Sequence, residues 1–153
     1  MQHGFKTPLF RQEGDVWDIS IYVPKIQIDH LSLEKDKRVV CNINGVFDFQ
    51  CALMPQGNGD LFININKEIR TKLKLEIGDN IEISLTKDDS KYGLPLPEEL
   101  KTAWEVDEEG NHIFHSLTMG KQRTLIHIVG KVKSSEKRIE KALIILEYLK
   151  SVN

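Results

Sequence analysis

Apolar residues alternate with polar ones through the first half of this chain and recur at helical spacing through its last third. In "VWDISIYVP", Trp17, Ile19, Ile21 and Val23 alternate with Asp18 and Ser20, the pattern of a half-buried strand, and Pro24 ends it. The first fourteen residues show no sustained period and read as loose chain or a sheet edge. Within "KIQIDHLSLEKDK", "LSLEKD" reads as a loop or single turn. "RVVCNINGVFDFQCALMP" predicts a hairpin about Asn44-Gly45. A two-residue turn would send Phe47, Phe49, Cys51 and Leu53 to the face opposite Val39 and Cys41. A three-residue loop, 43–45 with Gly45 left-handed, pairs Cys41 with Phe47 and Val39 with Phe49 and keeps both apolar sets together, so it is preferred.

"NKEIRTKLKLEIGDNIEI" predicts a short helix, a turn and a strand. Asn66 can cap the helix, Glu68 suits its positive end, and Ile69 and Leu73 share a face. Lys74 is expected in the left-handed region where the helix stops. Gly78-Asp79 turns the chain, and Ile81, Ile83 and Leu85 alternate with polar residues; Leu61, Ile63 and Ile65 form a strand before the helix. "MPQGNGD" is Gly-rich, but a strand and not a helix follows it, so it reads as a plain loop and not a phosphate cradle.

After Leu85 the pattern changes. "TKDDSKYGLPLP" is rich in breakers, Pro97 suits the start of a helix over "PEELKTAWEV", and "DEEGNHIFHSL" holds another short helix. Leu125, Ile126, Ile128, Val129 and Val132 follow helical spacing. So do Ile139, Ala142, Leu143, Leu146 and Leu149, with Ser134 or Ser135 as cap. Strands first and helices last define an α+β chain: a small split (pseudo) β-barrel over 15–88 with a short internal helix, a linker over 89–97, and a C-terminal helical segment over 98–153.

Composition changes this picture little. The 40% hydrophobic and 29% charged residues fit an ordinary globular protein, and no window has the apolar length of a membrane span. The N-terminus lacks a signal-peptide core, so a cytoplasmic location is expected and no membrane partner. Cys41 and Cys51 read as free core thiols rather than a disulfide, and no Cys-x-x-Cys spacing supports zinc. Charge is more informative. From Thr118 onward there are eight Lys or Arg and three Glu, a local +5 that leaves −7 on the rest of the chain. A basic tail of this kind can meet an anionic partner, or simply be the solvated side of docked helices.

The strand–helix–turn–strand unit resembles the half-barrels of AbrB, MazE and SpoVT transcription factors, in which two chains interlock and basic residues grip DNA. Here Lys67, Arg70, Lys72 and Lys74 are matched within the stretch by Glu68, Glu76, Asp79 and Glu82. The stretch is therefore expected to serve as barrel architecture and not as a DNA reader. An extra strand and hairpin from Val16 to Leu53 should let one chain close its own barrel, as a monomer or weak dimer.

Over nearly its whole length the chain resembles a bacterial family that joins a split-barrel domain of unknown function to a bacteriocin-protection (YdeI, or outer-membrane-protein-D-associated) segment. The resemblance is carried by "INGVFDFQCALMPQGNGDLFININKEIRTKLKLEIGDNIEISL", "LPEEL" and "KRIEKALIIL". The family usually has Gly where Lys74 stands.

Searches for chemistry give surface candidates only. Arg123, His127 and Lys131 lie four apart and make a basic stripe. With Lys121, Lys137 and Arg138 they are the candidate anion- or partner-binding residues. His112 and His115 beside Glu108 and Glu109 make a weak metal pattern, outweighed by a solvated face. No nucleophile elbow, P-loop or dinucleotide fingerprint is present. The expectation is a non-enzymatic binding or stress-protection module without cofactor, acting on an unknown protein or small-molecule partner. The alternative is nucleic-acid binding by the basic C-terminal helices, which Lys133 and Lys141 would join.

Overall fold

The computed structural model describes residues 4–12, 19–33 and 37–152. The chain divides into two units, Met1–Asp89 and Ser90–Asn153. No helix among the described residues is long and apolar enough to cross a membrane.

The first unit is a nearly closed antiparallel barrel of seven strands. They are β1 (Gly4–Arg11), β2 (Ile19–Val23), β3 (Arg38–Ile43), β4 (Phe47–Ala52), β5 (Met54–Pro55), β6 (Leu61–Asn64) and β7 (Asn80–Lys87), with helix α1 (Lys67–Leu73) between β6 and β7. The sheet order is β4-β3-β7-β1-β2-β6-β5. Alternate residues point inward, as the period of two requires: Leu9, Ile21, Val23, Val39, Cys41, Ile43, Leu61, Ile63, Ile81, Ile83 and Leu85 form the core.

The N-terminus is the main correction to the sequence reading. Residues 4–11 are neither loose nor an edge. They form β1, which lies between β7 and β2 in the middle of the sheet, so the barrel begins well before residue 15. Pro8 and the inward polar Thr7 mask the alternation there. β1 pairs with β7 from Gly4 to Pro8 and with β2 from Leu9 to Arg11, so Pro8 falls where the strand changes partner. One further step of the β2 register sets Pro8 opposite Tyr22, whose carbonyl lacks the amide hydrogen that proline cannot supply. The buried Thr7 hydroxyl donates to that carbonyl at 2.7 Å instead. Val16–Asp18, the expected start of the next strand, lie outside the described residues.

The β3–β4 hairpin keeps both apolar sets on one face, but two residues out of the expected register. Ile43 pairs with Phe47, Cys41 with Phe49 and Val39 with Cys51. Asn44 and Gly45 both take positive φ, 53° and 73°, and the Val46 amide closes the turn onto the Ile43 carbonyl at 3.0 Å. Exposed Val46 is the extra residue that restores the face. Asn44 also ties the turn to β7: its amide donates to the Glu82 carbonyl, and its side-chain oxygen accepts the Glu82 amide.

In α1, the Asn66 side chain accepts the Ile69 amide at 2.9 Å, and Lys74 stops the helix at φ 57°, ψ 44°. A β-carbon in that conformation costs roughly 1 kcal/mol that glycine avoids. Lys74→Gly should therefore raise the urea midpoint slightly, and a fall in the midpoint would mean that the lysine side chain holds something more.

The second unit packs α2 (Glu98–Val106), α3 (Glu108–Ser116), α4 (Met119–Gly130) and α5 (Ser135–Ser151) around Leu100, Trp104, Phe114, Ile126, Val129, Ala142 and Leu146. Residues 90–97 are more than a linker: Tyr92 is buried in this core, and Leu94 and Leu96 pack against it. Ser134 caps α5. The buried face of α5 is Ala142, Ile145, Leu146 and Leu149; Ile139 and Leu143, expected inside, stand half-exposed. The run "ALIIL" is apolar all round, so spacing alone could not choose the face. Gly130 ends α4, which leaves Val132 outside the helix.

Candidate functional site

The barrel closes everywhere except along one seam. Among the described residues β4 ends the sheet on one side and hydrogen-bonds only to β3, and at the other end β5 covers only Leu61 and Phe62 of β6. Side chains span the gap in place of a ladder. Phe49 and Cys51 of β4 pack onto the barrel core with Ile69 and Leu73 of α1, and the Lys72 ammonium sits 4.9 Å from the centre of the Phe47 ring.

A groove of about 610 Å³ runs along this seam. Its apolar wall is Ile19, Phe49, Cys51, Ile65 and Ile69. Among the described residues its polar lining is Gln50, Asn64, Asn66, Lys67 and Arg70, with no acidic side chain. Lys67 and Arg70 are three apart on α1 and so share a face. The Arg70 guanidinium forms no hydrogen bond or ion pair among the described residues, although its Nε is buried. Asn64 Oδ1 accepts the buried Ser20 hydroxyl at 3.1 Å, and Gln50 Nε2 donates to Asp88 at 3.0 Å. The Cys41 thiol, behind the wall, is pushed well above its ordinary pKa by its hydrogen bond with Cys51 and by burial, which keeps it protonated.

The candidates in the helical unit lie on α4, at its C-terminal end and in the first turns of α5. Lys121, His127, Lys131 and Lys137 are exposed. Arg123 and Arg138 are already engaged. Arg123 Nε donates to the Tyr92 carbonyl at 2.8 Å. Arg138 donates to the carbonyls of Val132 and Lys133 at 2.8 and 3.0 Å and pairs with Glu99 at 3.0 Å. The stripe of Arg123, His127 and Lys131 thus has one member turned to structural use. His115 is likewise built in. Its Nε2 meets the Tyr92 hydroxyl at 2.7 Å, its Nδ1 meets the Asn111 carbonyl at 3.0 Å, and its ring stands edge-on to Trp104 at 4.6 Å. Because a carbonyl can only accept, Nδ1 donates to Asn111, and the tyrosine hydroxyl, which can donate or accept, meets Nε2. No group of three or more His, Cys, Asp or Glu among the described residues could hold a metal ion.

The Arg138 contact makes stability depend on pH. The Arg138 guanidinium, with help from Ser135, lowers the Glu99 pKa from 4.5 to about 2. Above 4.5 the carboxylate is charged in folded and unfolded chains alike, and the contact is fully present. As pH falls, the unfolded chain takes up the proton first, so stability drops between about pH 5 and 2. Arg138→Met should flatten this slope, read from Trp104 fluorescence in urea in a Trp17→Phe background. An unchanged slope would mean that Glu99 is not its source.

This is a small, nearly closed antiparallel barrel protein with an open seam and an attached helical unit. The chain belongs to the family described as Domain of unknown function (DUF1905), whose model matches residues 5–85, just over half of the chain and nearly all of the barrel unit. No curated protein matches it.

Proposed function

We propose that this chain is a non-enzymatic binding module and that the seam groove of the barrel is its binding site. The observation that carries the reading is the groove itself. It has the volume of a small-molecule site, and its apolar wall is continuous with the barrel core, so a bound molecule would complete packing that the strands leave unfinished. The likeness of "LPEEL" and "KRIEKALIIL" to bacteriocin-protection segments supports a stress-protection role for the module. Nucleic-acid binding by the helical unit has less behind it, because Arg123 and Arg138 are spent on internal contacts, which leaves five exposed lysines, Lys121, Lys131, Lys133, Lys137 and Lys141, to neutralise phosphates.

A screen of soluble small molecules against the intact chain, followed by backbone amide shifts, tests the reading. Binders should move amides at 49–51 and 64–70. Binders that collect only on the helical unit, or a labelled duplex that binds more tightly than any small molecule, would refute it.

A further inference from the structure

We infer that the seam groove takes a small organic oxyanion, a carboxylate or phosphate on a short apolar body, with Arg70 gripping the charged head. This rests on reading the groove as the binding site and goes further by naming the ligand class. A guanidinium is charged at every accessible pH, and a buried N–H without an acceptor is unfavourable. Arg70 has such an N–H in its Nε, and its whole guanidinium is without a protein partner among the described residues. Its fork of donors matches the two oxygens of a carboxylate or phosphate. Lys67, one helical turn away, adds a second positive charge, and among the described residues no lining side chain cancels either. Asn64 already accepts from Ser20 through Oδ1, and its two amide N–H groups can donate to a ligand. The polar side of the groove therefore offers donors and positive charge to an acceptor ligand. The opposite side, with Phe49 and Ile65, asks for an apolar body. Two cations suit a small anion and are too few for a polyanion.

The test uses the intact chain and five probes, with affinities taken from amide shifts at 64–70. Hexanoate and hexyl phosphate carry head and body, 1-hexanol the body alone, and acetate and inorganic phosphate the head alone. Hexanoate or hexyl phosphate should bind at least tenfold more tightly than 1-hexanol, acetate or inorganic phosphate. The tighter of the two distinguishes carboxylate from phosphate. Arg70→Gln should weaken that binding by about tenfold or more, Arg70→Lys should weaken it less than Gln does, and Lys121→Gln should leave it unchanged. If 1-hexanol binds as tightly as hexanoate, the anion inference is overturned while the groove remains a binding site. If Arg70→Gln binds like the parent chain, or no probe moves these amides, the inference is overturned as well, and the broad screen then judges the groove independently.

Discussion

Replacing Gly110 by alanine should destabilise the helical unit by about 1–3 kcal/mol, the usual range for forcing atoms into a packed site. The sign is opposite to what helix propensity predicts. Glycine inside a helix is normally worse than alanine by roughly 1 kcal/mol, because it loses more backbone freedom on folding. Gly110 lies buried in the first turn of α3, and a β-carbon there would stand 2.7 Å from Asp107 Oδ2, 2.9 Å from Asp107 Cγ and 3.0 Å from Leu146 Cβ. Neither neighbour can yield easily. The Asp107 carboxylate caps α3 by accepting the Gly110 amide at 2.9 Å and also holds the Lys150 ammonium at 2.9 Å. The lysine and that amide together keep its pKa below the ordinary carboxylate value. Leu146 lies fully buried in the face that α5 turns to α3. The new methyl must therefore displace the cap or push the two helices apart. Urea denaturation followed by Trp104 fluorescence measures the loss. Most of it should vanish in an Asp107→Ala background, where the methyl meets only Leu146. Stabilisation by Gly110→Ala in the parent chain would show that α3 and α5 are packed more loosely than this.

Much of the fold could be read from the residues because, in most segments, one signal dominates. Alternation in β6 and β7, the Asn66 cap and the helical spacing after Pro97 each point to one local structure, and tertiary packing agrees with them. The misreadings come where two signals compete. In β1 a proline and an inward threonine interrupt the alternation, and the strand is made by pairing with β7 and β2, with a side-chain hydrogen bond to a neighbour fifteen residues away beside the proline. In the hairpin, Asn-Gly specifies the turn while the apolar pattern specifies the face, and Val46 reconciles them. In α5 too many apolar residues compete for one buried stripe. The groove was the least legible feature. Along the chain, Lys67 and Arg70 have acidic neighbours in sequence, so the stretch counts as balanced. In space, Glu68 lies outside the groove lining, and Glu76, Asp79 and Glu82 belong to the turn and strand beyond it. Both arginines of the C-terminal basic run hold backbone carbonyls, which a list of charges cannot show because it does not distinguish a structural arginine from a free one.

Thr7→Val should destabilise the barrel by about 1–3 kcal/mol, although it exchanges a hydroxyl for a methyl of nearly the same size. That range is the usual penalty for a buried acceptor left without a donor. Thr7 is buried and its hydroxyl donates to the Tyr22 carbonyl, so valine would keep the volume and remove the only part of the side chain that serves this bond. The same geometry explains how a proline can stand in a central strand. Pro8 pairs with Asn80 on the β7 side, and on the β2 side it faces the carbonyl that Thr7 satisfies from the adjacent position. Threonine and proline are thus a coupled pair, which gives the prediction a second arm. In the Thr7→Val background, Pro8→Ala restores an amide hydrogen directly opposite Tyr22 and should recover most of the lost stability. In the parent chain, where Tyr22 already has its donor, the same change should be close to neutral. A double-mutant cycle by chemical denaturation reads this as a coupling between the two sites. If the two substitutions simply add, Thr7 is not standing in for the missing amide, and another contact must account for a polar residue on the inner face of β1.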